Sequence, residues 1–207
     1  MLYIVITPDT GIWPDEIETY VLLFEAGLDY LHIRKPQATK MEIEQLIERI
    51  PLEWRQRVIL HDHIDLVAHY GLQGWHLNQR NAAYLSVNGR PHSASCHTLE
   101  ELESRQKGEY NYCFLSPIFD SVSKKNYPAA FTPEMVRWAF GQGIINQKTI
   151  ALGGVTLSNL RLCQDYGFGG IALLGYIWGN SPDHYTATER ANRFIQLRNI
   201  ENECYNS

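Results

Sequence analysis

In KTIALGGVTLSNLRLCQDYGFGGIALLGYIW, residues 148–178, a short apolar run from Thr149 to Leu152 gives way to a glycine pair, Gly153-Gly154. A segment of helical character follows, Thr156 to Tyr166, with Leu157, Leu160, Leu162 and Cys163 as its apolar members, and Gly167 stops it. Glycine ends a helix well because it tolerates the left-handed conformation. A second apolar run, Gly170 to Leu174, ends at Gly175. The order is strand, glycine loop, helix, strand, glycine loop: a βαβ unit with glycines at the carboxyl ends of both strands. Glycine there either makes a tight turn or lets a ligand approach backbone N–H groups, where a helix amino terminus favours an anion. The unit is expected to anchor a phosphate at Gly153, Gly154 and Gly175.

The same pattern recurs along the chain. GLDYLHI (27–33), GLQGWHL (71–77) and GFGGIAL (167–173) each place a helix-closing glycine, a short linker and a buried strand. Repetition of one βα unit argues for a single repeated architecture. About eight strands alternate with seven or eight helices, among them Pro14 to Ala26, Lys40 to Ile50, Ile64 to Tyr70, Leu99 to Gln106, Thr132 to Phe140 and Asp183 to Ile200. Segment 82–92 fits no element clearly. Polar residues follow nearly every strand rather than those at one switch point. The expected fold is therefore a compact α/β (βα)8 TIM barrel, one domain over residues 1–207.

Composition narrows the function. Hydrophobic residues make up 44% of 207, enough for a sizeable core. The net charge of −5, with no basic run, leaves no footprint for nucleic acid. No apolar segment approaches the roughly 18 residues that span a bilayer, so no membrane partner is expected. The amino terminus has no charged region before its apolar run and reads as a first core strand. Four dispersed cysteines suit a reducing cytoplasm rather than a disulfide framework. A homo-oligomer is compatible with all of this.

In a barrel the strand carboxyl ends share one mouth. His32, Arg34, His61, Asp62, Asn81, Ser95, His97, Ser121, Ser123, Lys124, Lys125, Gly153, Gly154 and Gly175 would gather there. Cations, hydroxyls and glycine N–H groups together suit a phosphorylated substrate. Histidines move protons near neutral pH. Each residue also has a structural reading. His32, between Leu31 and Ile33, equally suits an inward-facing barrel position. Asp62 suits a helix N-cap. Residues 121–125 suit a solvated loop. His76 is expected in the core, His69 and His184 at the surface, and Trp13, Trp54, Trp138 and Trp178 between helices and barrel.

LHIR (31–34), HDHIDLVA (61–68), GWHLNQ (74–79), SCHTLEE (95–101), PIFDSVSKK (117–125) and LGGV (152–155) lie in one order and at compatible spacings. Together they resemble the thiamine phosphate synthase family, which includes the thiazole tautomerases. The resemblance covers nearly the whole chain. In the synthase branch it implies that a pyrimidine diphosphate joins a thiazole phosphate with Mg²⁺, using two acidic metal ligands. The first matches Asp62, but the second falls on Asn81. The Asn before the first acid is His61, a lysine expected two places after Arg34 falls on Pro36, and the last phosphate loop carries Gly175 in place of serine. The tautomerase branch needs no metal. It is similar in His32 with Arg34 and in a histidine at the position of His97.

These departures favour a tautomerase acting on a carboxythiazole phosphate. In that reading Gly153, Gly154 and Gly175 hold the phosphate, and Arg34 or Lys124 holds the carboxylate. His97 carries the proton, no metal is needed, and His32, His61, Asp62, Ser95, Ser121 and Ser123 complete the binding set. The alternatives are a synthase using Mg²⁺ on Asp62 and Asn81, and a non-catalytic protein that binds phosphorylated ligands.

Overall fold

The computed structural model describes residues 1–83, 91–120 and 128–205. Eight strands run β1 (Leu2–Ile6), β2 (Tyr30–Ile33), β3 (Val58–Leu60), β4 (Gly74–Leu77), β5 (Ser93–Cys96), β6 (Tyr112–Leu115), β7 (Thr149–Leu152) and β8 (Gly170–Leu173). All neighbours are parallel, and β1 pairs with both β2 and β8, so the sheet closes into a barrel. The helices are α1 (Glu16–Glu25), α2 (Lys40–Glu48), α3 (Leu52–Arg55), α4 (Leu66–Tyr70), α5 (Leu99–Gln106), α6 (Pro133–Gly141), α7 (Leu160–Asp165), α8 (Gly175–Trp178) and α9 (Ala187–Tyr205). This is the compact α/β (βα)8 TIM barrel expected from the repeated glycine-closed unit. Among the described residues no helix is long and apolar enough to cross a membrane.

Strand alternation divides the apolar residues into two cores. Val5, Leu31, Ile33, Leu60, Leu77, Leu115 and Ile171 point outwards to the helices. Ile4, Ile6, Ile59, Tyr112, Phe114, Ile150 and Ala172 point inwards and fill the barrel. The inward positions of β2, β4 and β5 carry polar groups instead: His32, His76 and Ser93, all fully buried.

Helix starts follow local chemistry. Thr132 caps α6 by accepting from the Met135 N–H, with Pro133 in the first turn, as the sequence led us to expect. Thr39 and Glu42 form a full capping box at α2. Thr186 and Glu189 do the same before α9, which therefore starts later than Asp183. Helix α7 is shorter than Thr156 to Tyr166, because the Asn159 side chain folds back on the Thr156 N–H and the Gly154 carbonyl and holds 156–159 as a turn. Trp13 and Trp178 are buried against each other at 5.7 Å, but Trp138 is 57% exposed on the outer face of α6, against expectation. Of the ambiguous segment 82–92, residues 84–90 lie outside the described residues.

One ion pair fixes the loop between β1 and α1. Lys35 Nζ meets Glu16 Oε1 at 2.7 Å with both side chains fully buried. Glu16 also accepts from the Tyr20 hydroxyl and the Trp13 N–H. Removing one partner of such a pair leaves an uncompensated buried charge. Glu16→Gln should therefore destabilise the protein by about 3–5 kcal/mol in urea unfolding, and Glu16→Gln with Lys35→Met should regain most of that loss.

Candidate active site

The mouth is assembled from short strand extensions. His61 follows β3, Asn78 follows β4 and His97 follows β5, each continuing the inward alternation. Asn81 staples two of these ends. Its Nδ2 donates to the His61 and His76 carbonyls at 3.0 and 2.7 Å, and its Oδ1 accepts the Asn78 N–H at 2.8 Å. The buried amide is thus committed on both sides.

A cavity of about 260 Å³ opens over the barrel, lined by Arg34, His61, Arg80, Ser95, His97 and Arg105 among others. Arg34 donates to Asp9 at 2.8 Å and Arg80 to Asp62 at 3.3 Å, so two of the three guanidiniums are partly neutralised. The Arg105 Nε is buried without a partner among the described residues. His97 is exposed. Its Nδ1 lies 3.2 Å from the Ser116 carbonyl and 3.5 Å from the Ser116 hydroxyl, so a proton on Nδ1 would have the carbonyl as its acceptor. The His97 backbone N–H donates to Glu101.

Beneath the cavity lie three buried imidazoles. His32 Nδ1 and His61 Nε2 are 2.9 Å apart, and His32 Nε2 is 2.6 Å from the Tyr112 hydroxyl. His76 contacts Ser93 and Ser95 at 2.7 and 2.8 Å. Burial, reinforced by neighbouring histidines, pushes His32 and His61 well below the usual histidine range. Burial, with help from Arg105 and Arg80, pushes His76 down to about 3. The three rings are neutral at neutral pH.

The structure therefore brings Arg34, His61, Ser95 and His97 together around one cavity, with His32 below it. Asp62 is not a helix N-cap: it pairs with Arg80, its other oxygen is buried without a partner among the described residues, and α4 begins only at Leu66. Gly153 and Gly154 sit at φ +96° and +66°, half exposed at the end of β7, and Gly175 opens α8 beside them. A Cβ at Gly154 would lie 2.2 Å from the Asp120 carbonyl, so the β6 loop already requires a glycine there. Ser121, Ser123 and Lys124 lie outside the described residues. Lys35 does not replace the cation missing at Pro36, since its ammonium is buried in the pair with Glu16.

Sequence reasoning passed over Glu101, Arg105 and Tyr112. The first two follow His97 at intervals of four, a helical spacing that puts them on one face. Tyr112 precedes Phe114 and Ser116 at the inward period of two.

Residues 2–177 match the family model described as thiamine monophosphate synthase. The chain belongs to that family. It is 34% identical to a thiamine phosphate pyrophosphorylase from Bacteroides thetaiotaomicron, with a TM-score of 0.86 over 98% of both chains. Curated relatives named thiamine-phosphate synthase include one from Dictyoglomus turgidum, 26% identical over 91% of this chain and 87% of its own. Another, from Halalkalibacterium halodurans, is 25% identical over 74% of this chain and 75% of its own.

The donor set here is a poor match to a family Mg²⁺ site. Asp62 offers one carboxylate oxygen without a partner among the described residues, while residue 81 supplies a neutral amide oxygen that already accepts the Asn78 N–H. Mg²⁺ prefers carboxylate and phosphate oxygens.

The buried histidines set a pH dependence. Once unfolded, each imidazole takes up a proton near pH 6.5; in the barrel it stays neutral. The unfolded chain thus binds more protons, and stability falls as pH drops below that point. Between about pH 6.5 and 5, denaturant unfolding should show a loss of up to about 1.4 kcal/mol per pH unit for each histidine. His61→Asn should flatten that slope by one histidine's share.

Proposed function

We propose that this member of the thiamine monophosphate synthase family is a thiazole tautomerase, acting in the cytoplasm on a carboxythiazole phosphate. The observation that carries this reading is Asn81. The position expected to supply a synthase's second acidic ligand is a neutral amide whose oxygen is turned to its own loop. The cavity is instead equipped for proton transfer, with His97 lining it and neutral imidazoles below.

In this reading the half-exposed backbone at Gly153, Gly154 and Gly175 holds the phosphate, aided by Ser121 and Ser123. Arg34 or Lys124 holds the carboxylate. His97 removes the proton from the non-aromatic ring, which leaves the ring aromatic, and no metal takes part.

Positioned acid–base groups contribute about 10²–10⁴-fold to rate. His97→Gln should lower kcat by that factor with little change in product binding, measured by calorimetry. Turnover should persist in excess EDTA. An unchanged kcat would remove His97 from the mechanism.

A second reading is a thiamine phosphate synthase, favoured by the names of the relatives. Supplying pyrimidine diphosphate, thiazole phosphate and Mg²⁺ tests it. Rapid formation of thiamine phosphate, lost on adding EDTA, would replace the tautomerase reading.

A further inference from the structure

Three guanidiniums line the cavity, and they are not equivalent. Arg34 donates to Asp9 at 2.8 Å and Arg80 to Asp62 at 3.3 Å. Arg105 pairs with no carboxylate among the described residues. Its Nε is buried without a partner there. The side chain's one hydrogen bond to a described residue runs from Nη1 to the Tyr110 hydroxyl at 3.4 Å, longer than a usual N–H···O bond.

The start of α5 explains why Arg105 is left over. Glu101 stands four residues before it, the spacing at which a carboxylate meets a guanidinium on one helix face. The Glu101 carboxylate instead accepts the His97 N–H at 2.7 Å, while the Thr98 hydroxyl accepts the Glu101 N–H at 3.1 Å. Closing the first turn in this way withholds the partner that the helix itself offers. A guanidinium carries five donors in a fixed fork, and a buried donor left unpaired is costly, more so on a charged group.

The position suits a second anion on a ligand already held by its phosphate. Arg105 shares the cavity wall around β4, β5 and α5 with Gln79, Ser95 and His97. In the closed order β1 to β8, strands β4 and β5 stand across from β8 and β1, and the glycine loops follow β7 and β8. The charge of Arg105 also bears on the buried rings, where it helps to hold His76 low. A ligand with its phosphate on the glycine side would present its far end to Arg105.

We propose that Arg105 binds the carboxylate of the carboxythiazole phosphate and distinguishes that compound from a thiazole phosphate lacking the group. The inference rests on the tautomerase reading for the identity of the ligand. It narrows the holder of the carboxylate from Arg34 or Lys124 to Arg105, since Arg34 would first have to release Asp9. A planar carboxylate can accept two parallel N–H···O bonds from a guanidinium, which fixes orientation as well as charge. Arg105 is thus a specificity-determining residue, and holding the carboxylate sets the ring beside His97.

Calorimetry with two ligands tests this: the aromatic carboxythiazole phosphate, and the same compound without its carboxylate. The wild-type protein should bind the first about ten- to a hundredfold more tightly. Arg105→Gln should abolish that preference and leave affinity for the second ligand unchanged. Arg105→Lys keeps the charge but not the fork and should retain only part of it. In turnover the loss should appear in KM more than in kcat. A wild type without the preference, a preference that survives in Arg105→Gln, or an equal loss for both ligands would overturn the proposal. Should Arg105→Gln fail to fold, a full preference in Arg105→Lys would overturn it. A preference that depends on Arg105, in a wild type that does not convert the non-aromatic tautomer, would overturn the tautomerase reading and leave the recognition standing. Normal turnover with a preference independent of Arg105 would overturn the recognition alone.

Discussion

The interior of a closed barrel of eight parallel strands is filled by side chains, so each inward-facing polar group there needs a hydrogen-bond partner. Leaving one unpaired costs roughly 1–3 kcal/mol or more. Here the burden falls on β2 to β6, which send His32, His61, His76, Ser93 and Tyr112 inwards. They meet it by bonding to one another. The rings are kept neutral because a charge at that depth would lack both water and a counterion. The low proton affinity of the three histidines is thus a consequence of closing the barrel around them, not a separate device.

The mouth inherits its layout from this filling. Asn81 holds the ends of β3 and β4 through the carbonyls of the two histidines, so the loop above the barrel is tied to the imidazoles below it. An aspartate in its place has no N–H to donate to those carbonyls. The amide that costs the site a metal ligand is the same amide that positions His61 and His76. The change at 81 and the histidine at 61 therefore belong together: one supplies the ring, and the other holds the backbone that carries it.

The fold was legible because its determinants are local and repeated. Glycine-closed helices feeding apolar strands needed only sequence spacing to be recognised, and so did the Thr132 cap. The mouth residues Arg34, His61, Ser95 and His97 were legible too, since strand ends in a barrel converge by topology. What escaped the sequence was mostly partnership. That Lys35 pairs with Glu16, that Asp62 pairs with Arg80 instead of capping α4, and that Tyr112 joins His32 all depend on contacts between residues roughly 20 to 80 apart. Helix α7 was overestimated for a related reason: Asn159 competes for the backbone with its side chain, which an apolar pattern does not reveal. Trp138 was misplaced because a large aromatic at a helical position does not say which way its face points.

The barrel is also lopsided, and that bears on how a ligand would lie in it. From β2 to β6 the interior is mostly polar and aromatic, with Ile59 of β3 the aliphatic member. At β7, β8 and β1 it is aliphatic, with Ile150, Ala172, Ile4 and Ile6. Above the aliphatic side stand the glycine loops at 153–154 and 175, where backbone N–H groups suit an anion. Above the polar side stand His61, Ser95 and His97. A substrate with a phosphate at one end and a reactive ring at the other would span the mouth from the first side to the second. Chemistry would then occur over the half of the barrel that carries the histidines, while the other half supplies an apolar wall.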